Sequence, residues 1–224
     1  MLKSIKTSVL AVILISTAVI AHAQKKVNEG TLTYAVTYEL TPEQQSMASQ
    51  LPPETKFKFN GSLIKLEIEQ GPAKITVMSD AVLKTGLVLV DIPVAQKQYA
   101  VKNSKEDTEQ MMGKTPVLRD FKSTGEKQQI GAYATEKYTY KDDKGVAGEL
   151  WATKDIQLPE GISGSEFKDL KATPVKFTRL QNGVKALVTI KNLDEGKVGP
   201  ISLEVPASYE VTTMEALRAM GGGQ

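Results

Sequence analysis

From residue 30 to residue 40 the chain alternates without interruption: Leu32, Tyr34, Val36, Tyr38 and Leu40 fall on one parity, and Thr31, Thr33, Ala35, Thr37 and Glu39 on the other. Successive side chains leave a strand on opposite faces, so period two with β-branched and aromatic residues predicts a half-buried strand. The pattern returns with Phe57 and Phe59 around Lys58, with Ile64, Leu66 and Ile68, and with Ile75 and Val77. Asn60-Gly61 reads as a two-residue hairpin turn, and Gly71-Pro72 ends the next strand. Residues 87–90, Leu-Val-Leu-Val, break the alternation, which predicts a strand covered on both faces or a buried edge under a lid. Residues 95–102, with Tyr99 and Val101, follow as its hairpin partner.

Further strands are expected at 117–121, 127–130, 132–140, 146–153, 175–180, 184–193 and 201–205, with turns at 142–145 and at Asn182-Gly183. Helical signals are few and short. Thr41 and Gln44 have capping-box spacing, Pro42 suits the first helical position, Met47 and Leu51 give a weak apolar face, and Pro52-Pro53 stops the helix. The polar stretch 103–113 ends in Met111-Met112-Gly113, a second short helix or a mobile segment. Thr212 and Glu215 repeat the capping-box spacing ahead of Met214, Leu217 and Met220. Residues 154–173, with Pro159, form a crossover holding one helical turn near 163–170. No repeat or linker divides residues 24–224, which read as a single β-rich domain. About ten short strands joined by hairpins imply an antiparallel sandwich or curved barrel, with short helices suited to cover its mouth.

The first 23 residues read as a secretory leader: Lys3 and Lys6, an apolar stretch from Val9 to Ile20, then Ala21-His22-Ala23 as a signal-peptidase site. The apolar core is shorter than the roughly 18–20 residues that span a bilayer, so no integral membrane span is expected after cleavage. No cysteine follows it to carry a lipid. The expectation is export to the periplasm or beyond as a soluble chain beginning at Gln24. Two lysines leave with the leader, so the 28 basic and 26 acidic residues of the full sequence become 26 of each. Lysine and glutamate are interspersed with no basic block, which argues against nucleic acid as a partner.

The chain has no cysteine, and its one histidine, His22, belongs to the leader. Cys/His zinc sites, cysteine nucleophiles, Ser-His-Asp triads, histidine-ligated haem and disulfides are thereby excluded from the mature chain. No cofactor, metal or catalytic residue is called for. Carboxylate chemistry stays open, with Glu149 two residues before Trp151 as the local candidate for an acid beside a sugar-stacking indole. A solvated Glu beside a Trp that covers the sheet is the favoured alternative. Asp142-Asp143-Lys144-Gly145 lacks the ligand spacing of an EF-hand and reads as a turn. Asn60-Gly61-Ser62 fits a glycosylation sequon but is preferred as a turn.

Two segments carry a family resemblance: residues 29–38, EGTLTYAVTY, and residues 150–156, LWATKDI, followed by residues 203–209, LEVPASY. Their order and spacing resemble the secreted domain-of-unknown-function families of Bacteroidota related to the GLPGLI proteins. The hexapeptide itself is absent, the nearest region reading FKDLKATP at 167–174. Those families are similar in fold to the LolA/LolB lipoprotein carriers. The resemblance implies a mainly β chain, with a strongly curved, incompletely closed antiparallel sheet, a half-barrel, and a few short helices as its lid. It also implies that Arg179, on the face of Val175 and Phe177, reaches lid carbonyls, against the plainer reading of an exposed strand-end arginine.

The function expected from pattern and resemblance together is a non-enzymatic binding or carrier protein for an apolar ligand, a lipid or the acyl chains of a lipoprotein. Strand parity offers Tyr34, Val36, Tyr38, Phe57, Phe59, Leu66 and Ile68 as inward ligand-binding residues. Met47, Met111 and Met112 are the lid candidates, because methionine adapts to irregular apolar surfaces. Two other readings stand beside this one: a carbohydrate-binding or carboxylate-hydrolase domain around Glu149 and Trp151, and a structural envelope protein without a small ligand.

Overall fold

The computed structural model describes residues 24–112, 116–181 and 183–220, so the leader expected at 1–23 lies outside the described residues. The chain is mainly β. Twelve strands form one open, largely antiparallel sheet that does not close into a barrel. In chain order the strands are β1 Lys25–Lys26, β2 Glu29–Glu39, β3 Glu54–Asn60, β4 Leu63–Gln70, β5 Ala73–Asp80, β6 Gly86–Ile92, β7 Lys97–Asn103, β8 Arg119–Ile130, β9 Tyr133–Lys141, β10 Ala147–Thr153, β11 Ile156–Gln157, β12 Thr173–Gln181, β13 Val184–Asp194 and β14 Glu210–Val211. Across the large sheet they run β14-β7-β6-β5-β4-β3-β2-β13-β12-β10-β9-β8. β14 joins β7 in parallel, and β1 and β11 make a separate parallel pair, a pairing the sequence did not announce.

Tight hairpins fix this order. Asn60 pairs with Leu63, Gln70 with Ala73, and Ile130 with Tyr133, so each loop is two residues long and opens with a glycine. Gly61, Gly71 and Gly131 have φ of 58°, 56° and 56°, the positive value a type II′ turn needs at its first loop position. The first turn is thus Gly61-Ser62, one residue beyond the Asn60-Gly61 pair expected. The Asp142 turn is as expected: its Oδ1 accepts from the backbone N–H of Lys144 at 2.9 Å and of Val146 at 2.8 Å. The expected Asn182-Gly183 turn involves Asn182, which lies outside the described residues.

Three expectations need correction. Strands foreseen at 117–121 and 127–130 are one strand, β8, with two register shifts against β9. The polar residues 124–126 bulge out of the ladder between Ser123 and Lys127, where the Thr124 side chain donates to the Lys137 carbonyl at 3.3 Å. Residues 201–205 form no strand but an irregular strap across the sheet, flanked by Pro200 and Pro206, which have no N–H to give. The last helix is capped by Thr213 rather than Thr212, Thr213 Oγ1 accepting from the Ala216 N–H at 3.1 Å.

Helices are short: a 3-10 helix at Pro42–Gln50, α1 at Lys105–Met112 and α2 at Met214–Met220. Gln44 accepts from the Thr41 N–H at 3.1 Å, the half of the capping box that closes the first. No helix among the described residues is long and apolar enough to cross a membrane.

β6 is covered on both faces, the first of the two readings its unbroken apolar run allowed. Leu87 and Leu89 pack with Met78 and Ala100 beneath Ile201, Leu203 and Val205 of the strap. On the opposite face Val88 and Val90 pack with Tyr99 and Val101 beneath Met214 and Leu217 of α2. The C-terminal segment therefore passes over one face, pairs with the β7 edge through β14, and returns on the other face. The largest core lies under the crossover, where Leu158, Ile162, Phe167 and Leu170 cover β2, β13, β12 and β10. Gly161 brings this segment so close to Ala81 that a Cβ would stand 2.7 Å from the Ala81 Cβ.

Candidate functional site

Register aligns apolar side chains in rows across one face. Leu32, Phe57, Leu66, Val77, Val88 and Val101 are successive partners from β2 to β7. Ile68, Ile75, Val90 and Tyr99 make a parallel row from β4 to β7. Directly opposed residues in an antiparallel ladder share a face, so both rows belong to the face that the crossover covers at one end and α2 at the other. Between the covers the rows are open. Phe57 and Ile64 lean on the crossover core and Ile75 and Val77 on the α2 core, while Leu66 and Ile68 belong to neither. Leu66 is half-buried and Ile68 is 41% exposed.

The residues expected at the site thus divide. Tyr34, Val36 and Phe59 are buried within the crossover core, and Tyr38 packs at its margin with its hydroxyl donating to the Pro52 carbonyl at 3.1 Å. Phe57, Leu66 and Ile68 lie on the open strip. Met47 is exposed on the 3-10 helix and joins neither core. Met111 and Met112 end α1, and their side chains lie outside the described residues. Ile75 and Val77 were not named from the sequence as site residues, although the two-residue loop Gly71-Pro72 forces Ile75 opposite Ile68.

Beneath the crossover is a polar cluster. Arg179 extends from β12 over Phe177, its guanidinium 4.8 Å from the ring centroid, and Nη2 donates to Glu166 Oε1 at 2.8 Å and to the Ser163 carbonyl at 3.3 Å. Arg179 does reach a carbonyl of the covering segment. Phe177 also meets Phe167 at 4.8 Å and the edge of Tyr34 at 6.1 Å, and Tyr34 lies 6.0 Å from Phe57. Two buried polar atoms here have no hydrogen-bond partner among the described residues, Tyr34 Oη and Arg179 Nε. Burial pushes the Tyr34 hydroxyl up to about 12; the Arg179 charge opposes this, Glu166 adds to it, and the neighbouring Ser163 side chain opposes it.

The indole of Trp151 is already engaged. Lys137 Nζ lies 5.4 Å from its ring centroid, 2.8 Å from a Glu126 oxygen and 3.5 Å from a Glu149 oxygen. Glu149 is 62% exposed in its side chain, standing in water rather than in an apolar cleft. The arrangement is a surface ion-pair network around an aromatic ring. Among the described residues no group of three or more His, Cys, Asp or Glu side chains is placed to hold a metal.

Compared with known proteins, the chain matches no family model and no curated protein.

Proposed function

We propose that this chain is an exported, non-enzymatic binding or carrier protein for an apolar ligand, a lipid or the acyl chains of a lipoprotein. The observation that carries the reading is the apolar strip in which Leu66 and Ile68 belong to neither covered core, flanked by the half-buried Phe57 on the crossover side and Ile75 and Val77 on the α2 side. An apolar surface left open between two covers is the kind of face that takes an apolar partner. On this reading the sheet curves as a half-barrel of the LolA/LolB kind, the crossover acts as the lid, and Arg179 latches it through Ser163 and Glu166. The resemblance to the GLPGLI-related families supports the same reading.

The test is binding of diphenylhexatriene, a hydrocarbon whose fluorescence rises in apolar surroundings, together with native mass spectrometry of the protein purified from a secreting host. Saturable binding that Ile68→Glu weakens about tenfold supports the proposal, since a buried charge against hydrocarbon is strongly unfavourable. A protein that purifies empty and takes up no probe overturns it. The intact mass also tests export: a chain beginning at Gln24 supports cleavage after Ala23, and retention of residues 1–23 refutes it.

A further inference from the structure

The two-residue turn Gly61-Ser62 that sets Asn60 against Leu63 also sets Lys58 directly against Lys65. Opposed residues in an antiparallel ladder share a face, and two like charges so placed repel each other. Lys56, two residues before Lys58, stands on the same face, the reverse of the one that carries Phe57, Leu66 and Ile68. Three ammonium groups are thus gathered on neighbouring strands in the middle of the sheet, and with Phe57 and Glu67 they line a cleft of about 230 Å³.

Glu67 is their one counterion among the described residues. Its Oε1 lies 3.1 Å from Lys65 Nζ and its Oε2 lies 3.4 Å from Lys58 Nζ, so a single carboxylate is divided between two lysines. The hydrogen bond from Lys65 first, with the charges of both lysines, holds the Glu67 carboxyl below the usual carboxylate range, so it is ionised at neutral pH. Lys56 has no carboxylate at ion-pair distance among the described residues. On adjoining strands the lysines form single pairs, Lys185 with Glu39 and Lys191 with Glu54. At this cleft two positive charges are left without a counterion.

Charge and shape say what fits. A phosphate monoester carries about −1.5 to −2 at neutral pH and presents acceptor oxygens in several directions. Lysine meets such a group as a point charge with rotating donors, whereas a planar carboxylate is matched by the arginine fork, and among the described residues no arginine lines the cleft. We propose that Lys56, Lys58 and Lys65 form a binding site for a phosphate monoester, borne by a small soluble molecule or by a lipid headgroup. β3 and β4 stand between this cleft and the apolar strip, so no ligand lying on the strip reaches it, and the two sites stand or fall separately.

The experiment titrates the full chain with glycerol phosphate while sodium chloride holds the ionic strength constant, because salt screens exposed charges. Saturable amide NMR shifts confined to β3, β4 and their neighbours are expected. Lys56→Gln should weaken binding about threefold, the effect of one part-exposed charge pair, and Glu67→Gln, which removes the competing carboxylate, should strengthen it by a similar factor. Lys122→Gln on the β8 edge and Ile68→Ala on the other face should leave it unchanged, with urea midpoints showing that all four variants fold. Sedimentation with vesicles of phosphatidylcholine, with and without phosphatidic acid, separates the two sources. Retention by phosphatidic acid that follows the same order of variants assigns a lipid headgroup, and soluble binding without it assigns a free ester. No saturable binding of either, or a loss that Lys122→Gln reproduces, overturns the proposal. Weaker binding in Glu67→Gln also overturns it, because unbalanced charge would then not be what binds.

Discussion

The Tyr209 hydroxyl donates to Asp91 Oδ2 at 2.6 Å, joining the end of the strap to the end of β6. Gln98 donates to the other Asp91 oxygen at 2.6 Å, so both oxygens of the carboxylate are engaged. Removing the hydroxyl by Tyr209→Phe should cost about 1.5 kcal/mol, the lower end of the range for a hydrogen bond to a charged group, because the site is only partly buried. The local effect should be larger than the global one. Hydrogen exchange at Tyr209 and Thr212, whose amides donate to the Pro206 and Ala100 carbonyls, should quicken in the variant while β6 keeps its protection. Unchanged exchange there would show that the strap does not depend on this bond.

Alkaline pH should loosen the molecule in a defined window. Tyr34 and Tyr209 are both pushed up to about 12, Tyr34 by burial above all, and Tyr209 by burial together with its bond to the Asp91 carboxylate. An unfolded tyrosine ionises near 10, so the folded state holds these protons more tightly. Below pH 10 both are neutral folded or unfolded and nothing is lost; as pH rises from 10 toward 12 the unfolded chain ionises first and the folded state loses stability. For the buried Tyr34 that loss reaches about 3 kcal/mol by pH 12. Urea midpoints between pH 8 and 11 should fall above 10 and fall less in Tyr34→Phe; parallel curves for the two proteins would refute this.

At neutral pH Tyr34→Phe should leave stability unchanged or raise it slightly. A buried tyrosine whose hydroxyl is bonded loses stability in this exchange, but here the hydroxyl has no partner among the described residues, and its removal relieves a desolvation cost. A loss above about 1 kcal/mol in urea unfolding would mean that the hydroxyl is satisfied in solution.

Core and strip should respond differently to truncation. Phe177 is 1% exposed and packs against Tyr34 and Phe167, so Phe177→Ala should cost about 3–5 kcal/mol. Ile68→Ala should change stability by no more than about 0.5 kcal/mol while weakening hydrocarbon binding. Equal stability losses at the two positions would place Ile68 in the core.

Gly71→Ala isolates the backbone contribution of a hairpin. Nothing lies within 4 Å of an added Cβ, so the expected loss of about 1–2 kcal/mol comes from φ = 56° alone. A neutral substitution would show that the β4–β5 turn relaxes to another type.

Strands were legible where the pattern is local. The unbroken run at 87–90 was compatible with coverage of both faces or with a buried edge under a lid, and the structure shows the first. Parity placed Phe57, Leu66 and Ile68 on one face with Tyr34, Val36 and Phe59, and the ladder agrees. Which of them remain open could not be read, since coverage of that face is set at one end by residues 158–170, an irregular segment with no periodicity, and at the other by α2, whose apolar face does not say which strands it lies against. The β1–β11 pair was hidden for a related reason: two-residue strands carry no alternation. Arg179 was placed on its face by parity, but its partners Ser163 and Glu166 are 16 and 13 residues away in a loop.

The two ends of the sheet are protected by opposite means. β8 ends one side with twelve mostly exposed residues, two register shifts and a scatter of Arg, Asp, Lys and Glu, features that discourage another strand from joining. β7, at the far side, is regular with an apolar, buried centre of Tyr99, Ala100 and Val101, and owes its protection to the strap and β14. A chain shortened before Pro200 would bare both the Leu87–Leu89 face and the free backbone groups of β7. The last quarter-turn of chain thus serves as a stopper against sheet growth, and proteolysis within it would turn a self-limited molecule into one able to recruit its own copies edge to edge.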